Sequence, residues 1–131
     1  MKNKLIFKSL IFFLMISLQS YAEDLNISSS EINFNKKLGL FELNKNIVII
    51  DSNNNKIEAV EALYNKKDEL IKTIGYTKIY TNEGYILEGS DINFNNKNNN
   101  ISSNSSSVIT DIDGNTIKLS IFDYLTDKKF F

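Results

Sequence analysis

The sequence predicts an all-β protein, a repetitive antiparallel β-jellyroll or open roll built from two-strand units of about 30 residues. The first observation is an aromatic residue that recurs every thirty residues, at Phe34, Tyr64, Phe94 and Tyr124. The second is that short alternating stretches rich in Ile, Phe, Tyr, Val and Thr are separated by clusters of Asn, Asp, Gly, Ser and Lys, which is typical of strands and tight turns. A constant period of this length indicates stacked repeat units.

Further columns keep the same period without a gap. Residues Asn54, Gly84 and Gly114 align as residues that tolerate a positive φ and therefore predict equivalent turns. Because side chains alternate across a strand, the columns that begin at Ile32, Phe34, Ile49 and Ile57 should point inward, and an acidic column at Glu31, Glu61 and Asp91 should face water. The apolar columns are Ile32/Ala62/Ile92/Phe122, Phe41/Ile71/Ile101, Ile49/Ile79/Ile109 and Ile57/Leu87/Ile117.

The polar clusters divide the chain into a series of hairpins. Residues 56–65 could form a helix by propensity, but the equivalent stretch 86–95 is a poor helix former, and equivalent copies of a repeat should fold alike. The predicted strands are 39–51, 56–65, 69–81, 85–95, 101–111 and 115–125, with turns at 52–54, 66–68, 82–84, 96–100 and 113–114. The serine-rich part of the fifth strand should pair weakly.

The length of these strands predicts how the sheet is arranged in space. Strands of ten to twelve residues exceed the usual five or six, so each should fold over from one layer into a facing one and produce a two-layered roll. Gly39, Gly75 and Gly89 are placed within predicted strands, where glycine usually marks a bulge or a bend.

The first 22 residues have the pattern of a secretory signal. Lys2, Lys4 and Lys8 precede an apolar stretch at 10–18, and the small residues Ser20 and Ala22 fit a cleavage site after Ala22. The apolar stretch is shorter than the ~20 residues that span a bilayer. We therefore expect an exported domain comprising residues 23–131, with 12 lysines against 16 acidic residues and a net charge near −4.

Composition excludes several classes of function. The chain has no cysteine and no histidine, which removes disulfides, the usual zinc ligands and Ser-His-Asp chemistry. Lysines are dispersed and arginine is absent, so a nucleic-acid partner is not expected. Paired carboxylates such as Glu31 and Glu61 could share one face, but a repeated acidic column is the ordinary surface of such a fold. No enzyme activity and no cofactor are predicted.

One stretch of the repeat carries a family resemblance. Residues 46–95 include the strand Asn46-Ile47-Val48-Ile49, a turn, Ile57-Glu58-Ala59, and Tyr64-Asn65. This succession resembles the OstA-like (organic solvent tolerance) N-terminal domain, although Lys45 replaces the glycine that usually precedes Asn46. The resemblance extends over about residues 27–125 through repetition at a fixed spacing.

The resemblance implies a periplasmic β-jellyroll that helps to move lipopolysaccharide to the outer membrane of a Gram-negative cell. Such domains join edge to edge in a bridge of LptA type or form the periplasmic part of an LptD-type protein associated with the outer membrane. Either type remains open here, and the chain holds fewer than four units, so a domain of this kind would be incomplete at its C-terminus.

Two functional hypotheses follow for the apolar interior. In the first, an unsealed roll shelters acyl chains in an apolar groove, and its open edge strands bind like domains by β-augmentation. In the second, the protein is a structural or adhesive β-repeat with a dry core. The candidate lipid-binding residues are Ile32, Phe34, Ile49, Ile57, Tyr64, Ile79, Leu87, Ile92, Phe94, Ile109, Ile117 and Tyr124.

Overall fold

The computed structural model describes residues 25–125, which form one antiparallel sheet folded on itself into an open roll. The predicted signal segment 1–22 and the C-terminal residues 126–131 lie outside the described residues. A single turn of 3-10 helix spans Asn96–Asn98. The strands are β1 (Asn26–Ser28), β2 (Glu31–Asn35), β3 (Leu40–Ile50), β4 (Lys56–Asn65), β5 (Leu70–Tyr80), β6 (Ile86–Ser90), β7 (Asn93–Asn95), β8 (Asn100–Ser103), β9 (Ser107–Thr110), β10 (Thr116–Leu119) and β11 (Phe122–Leu125).

These strands confirm the two-strand unit and most of the predicted boundaries. Residues 56–65 form a strand, as the repeat predicted, and not a helix. The last three predicted strands are each split into two short ones, namely β6 and β7, β8 and β9, and β10 and β11. A further strand position at 26–35, formed by β1 and β2, was not among those predicted.

Every strand position has a corner near its middle. In β3 the register with β4 shifts between Asn44 and Ile47, and in β4 the register with β5 shifts between Ala59 and Glu61. At four other strand positions the corner is a break between two short strands, at residues 29–30, 91–92, 104–106 and 120–121. These corners divide the sheet into two halves. Sheet half A contains β1, β6, β9 and β10, sheet half B contains β2, β7, β8 and β11, and β3, β4 and β5 run through both.

Left-handed backbone conformations form the corners. Gly75 has φ of 74°, as its predicted role at a bend requires, and Lys45, thirty residues earlier, has φ of 61°. The backbone N–H of Gly75 donates to Asp91 Oδ1 at 2.9 Å, which ties the corner of β5 to the next break. Positive φ rotates successive peptide groups out of the strand direction, so the strand folds over.

The other two glycines have different roles from those predicted. Gly39, with φ of 68°, ends the turn before β3 and does not bend a strand. Gly89 lies inside β6, where a Cβ atom would lie 2.5 Å from the Ser107 hydroxyl oxygen. Gly89 is therefore required by a close approach between strands.

The repeat columns become continuous rows across each sheet half. Each residue of a row is the direct Cα partner of the next, so one apolar strip runs across the inner face of each half. In half A the row is Ile27, Ile49, Ile57, Ile79, Leu87, Ile109 and Ile117. In half B the row is Phe34, Phe41, Tyr64, Ile71, Phe94, Ile101 and Tyr124.

The two rows meet in one core, but their ends are exposed. Ile49, Ile79 and Ile101 are fully buried, and residues of both halves belong to the same core cluster. Ile32, Phe34 and Ile117 were predicted to lie inside, yet they are 52%, 53% and 62% exposed. The reason is their position in edge strands, where no neighbouring strand covers one flank. The acidic column at 31, 61 and 91 is exposed, as predicted.

The turns repeat with the same period as the strands. Asn54, Gly84 and Gly114 have φ of 65°, 91° and 85°, which confirms the predicted turn positions. In the first of these turns, Asp51 Oδ1 accepts hydrogen bonds from the backbone N–H groups of Asn53 and Asn55 at 2.9 and 2.8 Å. Asp111 Oδ1 accepts the equivalent pair at 2.9 and 2.8 Å sixty residues later.

Candidate functional site

An apolar cleft of about 320 Å³ lies at the open edge formed by β1 and β2. Leu25 and Ile27 come from the half A side, and residues of half B form the rest of the lining. We call it the β1–β2 cleft. The cleft exists because β1 and β2 each pair only with β3 among the described strands, so the inner faces of both halves end there without a covering strand. Its lining residues are Leu25, Ile27, Ile32, Phe41, Leu43, Tyr64 and Lys66.

Stacked aromatic rings continue one wall of the cleft. The Phe41 ring lies 6.1 Å from that of Tyr64 and 5.0 Å from that of Phe34, measured between ring centroids. These three residues are direct cross-strand partners in the half B row. Pairs of this kind stabilise a sheet edge by about 0.5–1.5 kcal/mol beyond the area that they bury. The wall is therefore a continuous apolar surface, with Phe34 half exposed at its outer end.

The cleft has one cation and one phenol among its lining groups. Lys66 is exposed and follows β4 in the turn to β5. Burial raises the pKa of the Tyr64 hydroxyl, and the nearby Glu69 carboxylate raises this pKa further. Tyr64 is consequently neutral at physiological pH, and its hydroxyl can donate a hydrogen bond.

The structure separates the twelve predicted groove residues into three groups. Ile32 and Tyr64 line the β1–β2 cleft, and Phe34 continues its wall. Ile109 is partly buried against the core, and Ile117 is exposed at the opposite edge. The other seven form a filled core with at most 7% exposure: Ile49, Ile57, Ile79, Leu87, Ile92, Phe94 and Tyr124.

Sequence reasoning missed five of the lining residues. Ile27 could have been found, because extending the column of Ile57, Leu87 and Ile117 back by thirty residues leads to it. Phe41 was placed in an apolar column but not in the groove. Leu25, Leu43 and Lys66 carry no periodic signal. The residues thirty positions after them are Asn55, Thr73 and Asn96, which differ from them in chemical type.

The edges of the sheet provide a second kind of surface. Among the described strands, β10 pairs only with β9 and β11 only with β8, so the far edge is as open as that at β1 and β2. Open edges carry unpaired backbone N–H and C=O groups. The far edge also exposes Ile112, Ile117 and Ile121.

The remaining chemistry of the described residues is limited. Glu31 and Glu61 are both partners of Asn44, on opposite sides of β3, so they lie two strands apart. Residues 25–125 contain no group of three or more acidic side chains placed to hold a metal ion. Over the same residues, no helix is long and apolar enough to cross a membrane.

No protein-family model matches this chain, and no curated protein matches it either.

Proposed function

We propose that this protein is a periplasmic lipopolysaccharide-binding and transport module for outer-membrane assembly. It shelters acyl chains in an apolar cleft and joins like jellyroll domains edge to edge. The single observation that carries the proposal is the β1–β2 cleft, an accessible apolar surface that continues the core of an open roll. The secretory pattern of residues 1–22 and the OstA-like resemblance support the periplasmic location.

The volume of the cleft limits what it can bind. At about 320 Å³ it lies near the lower end of ligand pockets, which are typically about 300–1,000 Å³. A volume of about 30 Å³ per small group leaves room for about ten methylene groups. Their burial contributes about 8 kcal/mol before the cost of ordering the chain. The proposal therefore assigns one acyl chain to this domain.

Photo-crosslinking tests this assignment directly. A photoreactive residue at Ile32, inside the cleft, is expected to crosslink to purified lipopolysaccharide. The matched control is Ile117, which is exposed to a similar extent at the opposite edge and lies outside the cleft. If the photoreactive variants at Ile32 and at Phe41 both fold as the wild type does and neither crosslinks to lipopolysaccharide, the proposal is wrong.

The filled core favours a second candidate, a structural or adhesive β-repeat protein. Seven predicted groove residues are inaccessible in the described structure, so a dry interior accounts for them fully. In this alternative the open edges serve self-assembly alone. Titration with an apolar dye or with lipopolysaccharide separates the two, because only the first candidate binds either.

A further inference from the structure

The turns at the half B ends of the strands form a basic row. The turns at 35–39, 65–69 and 95–99 repeat every thirty residues. We call these three turns the basic turn row. The turns at the half A ends, 51–55, 81–85 and 111–115, carry Asp51, Glu83, Asp111 and Asp113 and no lysine. The lysines of the basic turn row are all exposed: Lys36, Lys37, Lys66, Lys67 and Lys97.

The two carboxylates of the basic turn row accept hydrogen bonds from amide groups and keep their negative charge, so the row carries five lysines against two acidic residues. Asp68 Oδ2 accepts a hydrogen bond from Asn65 Nδ2 at 2.7 Å, and Glu69 Oε2 accepts one from Asn96 Nδ2 at 2.9 Å. Lys97 Nζ donates to the Lys67 carbonyl oxygen at 2.8 Å. Within residues 25–125, Lys36, Lys37 and Lys66 form no ion pair. Their ammonium groups are available to an anion.

Of these available cations, Lys66 lies at the β1–β2 cleft, and the other two lie in a neighbouring turn. Lys66 is a lining residue, two positions after Tyr64. The turn that carries Lys36 and Lys37 joins β2 to β3, and β3 pairs with β4 through Phe41 and Tyr64, so the two turns are neighbours at the same end of the sheet. An apolar cleft beside exposed ammonium groups matches a molecule with an acyl chain and an anionic headgroup. A lysine ammonium binds phosphate as a compact point charge.

We propose that the β1–β2 cleft selects phosphate-bearing amphiphiles, whose phosphate is bound by Lys66 together with the lysines of the 35–39 turn. The inference rests on the proposed function, because it presupposes that an acyl chain enters the cleft. It adds the chemical class of the headgroup and the residues that recognise it.

Paired lipid probes test the inference on the exported chain. The first probe is a single-chain lysophosphatidic acid, and the second is a monoacylglycerol with the same acyl chain and no phosphate, each below its micelle concentration. The phosphate probe is expected to bind up to about fivefold more tightly, since charge pairs formed by exposed lysines contribute at most this much. Lys66→Gln is expected to remove most of that difference.

The controls separate the headgroup from the acyl chain. Lys118→Gln, an exposed lysine of β10 at the far edge, removes the same charge and should change neither affinity. Equal binding of both lipids, or a silent Lys66→Gln, overturns the headgroup inference and leaves acyl binding intact. Binding of neither lipid overturns the proposed function and this inference together. Inorganic phosphate that binds as tightly as the phosphate probe shows that the acyl chain plays no part, and this also overturns the inference.

Discussion

Phe94 and Phe34 occupy the same column of the repeat, and replacing each by alanine compares the core of the sheet with its edge. Phe94 is 1% exposed and lies in the half B row between Ile71 and Ile101, whereas Phe34 is 53% exposed in β2. Phe94→Ala removes a buried ring and leaves a cavity, which should lower the free energy of unfolding by about 3–5 kcal/mol.

The same change at Phe34 should cost much less. Phe34 is about half buried, so its burial contributes only about half the energy of a fully buried phenylalanine, ~1 kcal/mol. With the loss of part of its contact with Phe41, we expect the free energy of unfolding to fall by about 1–2 kcal/mol. Domains of this size have a total stability of about 5–15 kcal/mol, so the comparison requires that the Phe94→Ala variant is still folded in the absence of urea. Phe94→Leu, which keeps most of the volume, is the milder second variant.

Urea unfolding followed by circular dichroism measures both free energies. With a dependence on urea of about 2 kcal/mol per molar, Phe94→Ala should lower the midpoint by about 2 M and Phe34→Ala by less than about 1 M. Equal losses at the two positions would refute the reasoning, because they would mean that the repeat column, and not the distance from the sheet edge, sets the burial.

Two further predictions concern the buried turn and the close strand approach. Asn55 is 1% exposed, donates to Asp51 Oδ2 at 2.7 Å and accepts from the Asn82 N–H at 3.0 Å, so Asn55→Ala should cost about 1–3 kcal/mol in urea unfolding. The equivalent Asn115→Ala, in an exposed turn, should cost less than ~1 kcal/mol, and a larger loss there would contradict the role given to burial. Gly89→Ala should cost about 1–3 kcal/mol in melting experiments, because its Cβ would meet the Ser107 side chain. Adding Ser107→Gly should recover part of this loss, and strictly additive effects of the two changes would show that they do not touch.

The turns could be predicted from the sequence because a turn depends on the backbone preferences of a few adjacent residues. The repeat could be predicted because similar residues recur in the sequence at a regular spacing. Asn54, Gly84 and Gly114 are residue types that tolerate positive φ, so their regular spacing between polar clusters was enough to locate three turns. The equivalence of residues 56–65 with the poor helix former at 86–95 likewise identified a strand at 56–65 against its helix propensity. The split of the later strands was harder to predict, since Asp91 forms a corner with φ of 54° without being glycine.

The candidate site was predicted in part. Ile32 and Tyr64 were identified, and both line the cleft, but most other members of the same columns are sealed in the core. Leu25, Leu43 and Lys66 could not be found from the repeat, because their part in the cleft depends on which strand lies at the edge. Which strand lies at the edge is determined only by the assembled sheet.

The sequence by itself determined the all-β class, the thirty-residue unit, the turns and the apolar face of each strand, because backbone preferences and side-chain alternation act over a few residues. Only the tertiary structure decided which residues of an apolar column are covered. Ile79 and Ile117 follow the same alternation, yet one is fully buried and the other is 62% exposed. The physical reason is that burial requires atoms from neighbouring strands on both sides, and a strand at the edge of an open sheet has them on one side only.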